Sequence, residues 1–91
     1  MMIKHVVMFK FREFAEGGDK AANCKRLYEE LLALPAKISE IKLFEVGVSF
    51  LQAPVACDLV LISEFESKEA LYSYQKHPEH LKVADFVGKA C

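Results

Sequence analysis

The hydrophobic period of this chain changes three times in 91 residues, and that succession limits the fold more than any single motif does. Residues 3 to 12, IKHVVMFKFR, are rich in β-branched and aromatic side chains and contain neither glycine nor proline, so they read as a strand. Alternation puts Ile3, His5, Val7, Phe9 and Phe11 on one face, the drier one, with Lys4, Val6, Met8 and Lys10 on the other. Beyond the turn-prone Glu16-Gly17-Gly18-Asp19, apolar residues recur at helical spacing (Cys24, Leu27, Tyr28, Leu31, Leu32), and Pro35 stops the helix near Leu34. Period two returns over Glu40 to Phe50 and again over Asp58 to Glu66, two strands whose short connection, Leu51 to Ala56, favours an antiparallel pair. Ser67 stands where a helix N-cap would, ahead of Lys68-Glu69-Ala70-Leu71. Pro78 then breaks this last helical segment and opens a second piece of it, with Leu81, Ala84 and Val87 on one stripe and Val83, Phe86 and Ala90 beside it.

The order β-α-β-β-α predicts one α+β domain over residues 1–91, a ferredoxin-like antiparallel sheet whose closing fourth strand would be expected after the last helix, where the sequence stops at Cys91. Two helical segments cover one face of such a sheet. Apolar side chains occupy both faces, however: Val6 and Met8 on the first strand, and Phe44, Val46, Val48 and Phe50 on the second, read as the densest part of the uncovered face. Hydrophobic residues make up 53% of the chain, more than so small a domain buries by itself. A two-fold homodimer through the helix-free sheet face accounts for the surplus.

Charge excludes several classes of partner. Twelve basic against 13 acidic side chains leave a net charge of -1, so neither nucleic acid nor an acidic membrane surface is an expected partner. No apolar run is long enough to span a bilayer, and the start lacks the pattern of a secretory signal. Three cysteines with no CxxC spacing suggest neither a disulfide framework nor a zinc site, and a reducing cytoplasm is the expected location.

The candidate chemistry rests on histidine and tyrosine. His5 interrupts the dry face of the first strand, where a histidine is either a hydrogen-bonded core residue or a pocket base. His77-Pro78-Glu79-His80 lies at the helix break: the bland reading makes His77 an imperfect N-cap, and the functional one lets an imidazole point beneath the helix. His77 and His80 have no third ligand at zinc-like spacing, so no metal is expected. Tyr74 shares an inward stripe with Leu71, as a core tyrosine or as a phenol facing a pocket. Were Tyr74, His80 and His5 to converge, one imidazole could serve as general base near neutral pH while the phenol holds a carbonyl or enolate oxygen. There is no glycine-rich phosphate loop and no nucleophile elbow, and no cofactor is expected.

Three stretches, IKHVVMFKF, DLVLISEFES and YQKHPEHLKVADFV, resemble the stress-responsive A/B barrel (Dabb) domain family, and the resemblance spans nearly the whole chain. It implies a ferredoxin-like fold whose two sheets meet in a dimeric α/β barrel. Most members of that family have no assigned reaction; some plant members are stress-induced, and one plant branch is a polyketide cyclase performing an intramolecular aldol condensation without cofactors. In that branch a first-strand histidine, a tyrosine before the His-Pro motif and the histidine ending it line the pocket, and His5, Tyr74 and His80 match them. A further pocket histidine falls at Leu59. Three readings follow: a small-molecule-binding homodimer taking an apolar or carbonyl-bearing ligand between sheet and helices; a cofactor-independent cyclase-like or isomerase enzyme; and a stress-related structural protein without catalysis.

Overall fold

The computed structural model describes residues 2–48 and 58–91, in which five strands and three α-helices are found. Strand β1 (Ile3–Phe9) leads to a small hairpin of β2 (Phe14–Ala15) and β3 (Gly18–Asp19), turned at Glu16 and Gly17 with φ of 51° and 77°. Two successive left-handed residues make the tight turn whose twist matches a β-ribbon. Helix α1 (Lys20–Ala33) follows at once, its N-terminus capped by the Asp19 carboxylate, which accepts from Ala22 N at 2.8 Å. Buried Asn23 ties the hairpin to this helix: its amide donates to the carbonyl oxygens of Ala15 at 2.9 Å and Gly18 at 3.4 Å. A 3₁₀ turn (Leu34–Ala36) ends α1 at Pro35, and β4 (Leu43–Val48), β5 (Leu59–Phe65), α2 (Lys68–Lys76) and α3 (Pro78–Ala90) complete the order.

The main sheet is antiparallel with the order β1-β5-β4, which is the ferredoxin-like arrangement with β1 at an edge. That edge is where a closing strand would pair, and the described residues form an open three-stranded sheet and not a closed barrel. All three helices pack on one face of it. Leu27 and Leu31 of α1, Tyr74 of α2, and Val83, Phe86 and Ala90 of α3 meet Phe9, Leu59, Leu61 and Phe65 in a single core. Of the two candidate stripes on α3, Val83–Phe86–Ala90 is therefore the inward one, and Leu81 is left 54% exposed.

Register corrects one expectation. Phe44 lies opposite Ser63, Val46 opposite Leu61 and Val48 opposite Leu59, and residues paired across a ladder share a face. Phe44 and Val46 thus sit on the helix-covered side, packed against the core, and not on the uncovered face. Val48 shares that side at the strand end, half exposed, and Phe50 lies outside the described residues. Period two shows which residues of a strand go together; only pairing shows which set meets the helices. The uncovered face is built instead from Val6 and Met8, 52% and 71% exposed, with Leu43, Val60 and Ile62, and a Lys4–Glu64 ion pair of 3.9 Å beside them.

Candidate functional site

The His-Pro pair generates the local geometry. Proline cannot follow a helical residue comfortably, and His77 is extended (φ −63°, ψ 136°), so the chain turns between α2 and α3. The Nδ1 of His77 accepts from Glu79 N at 3.1 Å and caps α3, with Pro78 at the first helical position. In an unbroken helix Glu79 N would have served the carbonyl of Gln75. That carbonyl oxygen is left for a side chain, and His80 Nδ1 meets it at 3.0 Å. A carbonyl only accepts, so Nδ1 carries the proton and Nε2 is the imidazole's acceptor nitrogen. The punctuation role of His77 and the altered setting of His80 are two results of one break.

The turn also places the first helical turn of α3 against the last of α2. The rings of Tyr74 and His80 lie 4.5 Å apart at 55°, and Tyr74 in turn packs on Phe65 at 4.9 Å and edge-on to Phe44 at 6.3 Å. Below them, His5, Ser63 and Phe44 form one cross-strand row, from β1 through β5 to β4. Ser63 is fully buried and its hydroxyl donates to the His5 carbonyl oxygen at 3.3 Å. His5 Nδ1 is buried and has no hydrogen-bond partner, which is costly for a ring nitrogen unless something else meets it. At Nδ1, His5 lacks the hydrogen bond that a satisfied core histidine would make there.

Burial pushes the imidazole of His80 below its ordinary pKa, the Gln75 carbonyl opposes this, and charge on His5 lowers it further. His5 and His80 are thus close enough to feel each other, and the neutral imidazole is the favoured form of His80. Burial alone lifts Tyr74 from 10.0 to about 12, so its phenol keeps its proton at neutral pH. The arrangement brings together an imidazole whose Nδ1 is engaged by the Gln75 carbonyl, a phenol that keeps its proton and the unpartnered Nδ1 of His5, beside Phe44 and Phe65. Chemically this suits a small molecule with a polarised oxygen on an apolar frame. Among the described residues, no three His, Cys, Asp or Glu side chains group as a metal site. A separate groove of about 370 Å³ runs between α1 and α3, but Arg26, Lys37 and Lys82 there are engaged by Glu30 or Glu79 at 2.7, 3.9 and 3.2 Å.

The phenol makes stability sensitive to base. A raised folded-state pKa favours the protonated form, so the contribution of Tyr74 is present below pH 10 and is lost as pH rises through about 12. At about pH 11 the loss is about 1.4 kcal/mol. Urea melts between pH 9 and 11 should therefore show a falling midpoint, and Tyr74→Phe should flatten that fall; an equal slope in the variant would refute the assignment.

Sequence reasoning named His5, Tyr74 and His80 but not Ser63, Phe65, Phe44 or the Gln75 carbonyl. Ser63 carried a signal, being the one polar residue on the inward face of Leu59-Leu61-Ser63-Phe65. The carbonyl carried none, since it depends on how Glu79 N is spent. Leu59 is fully buried in the core.

The family model described as Stress responsive A/B Barrel Domain matches residues 3–91. A crystal structure of a dimeric protein of unknown function and ferredoxin-like fold from Bacteroides fragilis is similar at 32% identity and a TM-score of 0.82, with 99% of this chain and 87% of that one covered. A protein of Arabidopsis thaliana shares 28% identity at a TM-score of 0.72, covering 96% and 84%. A hydroxynitrile lyase from Passiflora edulis, at 14% identity and a TM-score of 0.74 over 92% and 78%, shares the fold. None of the curated proteins matches the chain. Among the described residues no helix is long and apolar enough to cross a membrane.

Proposed function

The chain belongs to the stress-responsive A/B barrel domain family, and on that premise we propose that it is a homodimer binding a small apolar or carbonyl-bearing molecule between sheet and helices, at His5, Tyr74 and His80. The observation that carries this reading is the buried, unpartnered Nδ1 of His5 beside a Tyr74–His80 pair that already has its own order. A polar atom left bare in an apolar setting is a place where a ligand gains a hydrogen bond that the protein cannot make by itself. Similar solved proteins are described as dimeric, and the helix-free sheet face, with Val6 and Met8 outward, is the surface we assign to the second copy.

A thermal-shift screen of aromatic and β-keto compounds tests the site, because a ligand of the native state raises apparent stability by about 2.7 kcal/mol at a hundredfold excess over Kd. Hits should stabilise the native chain, and His80→Ala should remove most of the shift while leaving fold and dimer intact. Shifts undiminished in both His80→Ala and His5→Phe would place the ligand elsewhere. A screen with no hits would favour the structural reading.

His80, its Nδ1 held by the Gln75 carbonyl and its neutral form favoured by burial, next to a phenol that holds its proton, also favours a second reading, a cofactor-independent cyclase-like or isomerase enzyme. There His80 Nε2 takes a proton next to a carbonyl and Tyr74 donates to the enolate oxygen. Conversion of a hit by the native chain, abolished in His80→Ala under conditions where the ligand still binds, distinguishes catalysis from binding.

A further inference from the structure

At the other end of α3 from His80, two thiols enter one corner of the molecule. Cys24 of α1 points its sulfur at the carbonyl oxygen of Asp58, 4.0 Å away. Asp58 is fastened to the exit of β1: its N–H donates to Phe9 O at 2.8 Å and its carboxylate accepts from Phe11 N at 2.8 Å. One residue later, Arg12 N donates to the carbonyl oxygen of Ala90 at 2.9 Å, and the next residue is Cys91, which caps α3 through a 2.9 Å bond from its N–H to Val87 O. A short chain of hydrogen bonds therefore links the Cys24 thiol, through Asp58 and the β1 exit, to the backbone beside Cys91. Both cysteines are half-buried against the same core, and a charge on Cys24 is felt at Cys91. Helices α1 and α3 are already in contact alongside, where the Arg26 guanidinium lies 3.9 Å over the ring of Phe86.

We propose that Cys24 and Cys91 are a redox pair that closes into an intramolecular disulfide by exchange with a low-molecular-weight disulfide. The thiolate of one attacks a sulfur of the oxidant, whose other sulfur leaves and takes up a proton as free thiol. The second cysteine then attacks the mixed disulfide and releases the remaining thiol. Two S–H bonds are lost, one S–S bond is formed, and the two electrons reduce the oxidant. Burial raises both thiols above their ordinary value, so exchange quickens with rising pH as thiolate appears. The bond ties α1 to α3 and joins positions far apart in the chain, the case in which a cross-link restricts the unfolded ensemble most.

The test uses Cys57→Ser, which leaves Cys24 and Cys91 as the only cysteines, treated with glutathione disulfide under mildly alkaline conditions. Both free thiols should disappear, intact mass should fall by two hydrogens, and one peptide pair should link positions 24 and 91. The melting temperature should rise by at least about 5 °C and return with dithiothreitol. Adding Cys91→Ser should abolish the link and the rise. Stable glutathione adducts on both cysteines, links between chains, or thiols that stay free in the folded chain while reacting in urea would overturn the pairing. The native chain is mapped under the same conditions in case Cys57→Ser fails to fold, and a disulfide through Cys57 in place of the 24–91 pair would equally overturn it.

Discussion

Truncating Phe65 to alanine is expected to remove about 3–5 kcal/mol of folding stability, the range for a fully buried phenylalanine. Phe65 ends β5, the central strand, with no exposure at all, opposite Ile3 across the ladder and 4.9 Å from the ring of Tyr74. A domain of this size holds roughly 5–14 kcal/mol in total, so the variant keeps a fraction of it, and its melting temperature should fall by about 15–30 °C. The urea midpoint should drop with little change in slope, because the same surface is exposed on unfolding. Phe65→Leu, which refills most of the volume, should cost far less. A cycle with Tyr74→Ala separates packing from the ring contact, with a coupling of about 0.5–1.5 kcal/mol expected for the aromatic pair. A loss below about 1 kcal/mol for Phe65→Ala would mean that the site is not built on a rigid floor. The prediction bears on function because Phe65 and Phe44 hold the phenol that faces His80.

The elements of this fold are legible in the sequence because each has a local cause. Ser67 and Pro78 occupy the capping positions their chemistry predicts, and the ends of α1 and α2 follow from prolines 35 and 78. His5, Tyr74 and His80 are legible as candidates from residue type and position. What was not legible is everything set by pairing. Alternation within β4 separates Phe44, Val46 and Val48 from Leu43, Glu45 and Gly47, but which set meets the helices is shown by their partners on β5. The β2–β3 hairpin was visible as a turn but not as strands, since each strand has only two residues and Asn23, from the following helix, holds them. Asp58 reads as the start of a strand; its clamp on Phe11 N joins residues 47 positions apart. The free carbonyl of Gln75 is a further step removed, the result of a side chain capping a different amide.

The corrected faces sharpen what the second copy should meet. With Phe44 and Val46 turned toward the helices, the uncovered face owes its apolar character to Val6 and Met8 on β1, with Leu43, Val60 and Ile62 partly shielded beside them. Gly47 adds a shallow place opposite Val60, where a Cβ would come within 3.3 Å of the valine methyl. Met8 is 71% exposed in one chain, so replacing it should cost the fold little. In a two-fold dimer through this face the same change occurs twice across one interface. Met8→Lys then buries two like charges without partners, each costing several kcal/mol, and the dissociation constant should rise by at least about a thousandfold. Light scattering at micromolar concentration should find the native chain dimeric and Met8→Lys monomeric, with the same circular dichroism. Leu81→Lys, at 54% exposure on α3, supplies the matched control and should stay dimeric. If Met8→Lys remained a dimer while Leu81→Lys dissociated, the helices and not the bare sheet would form the interface, and the sheet's apolar face would need another occupant.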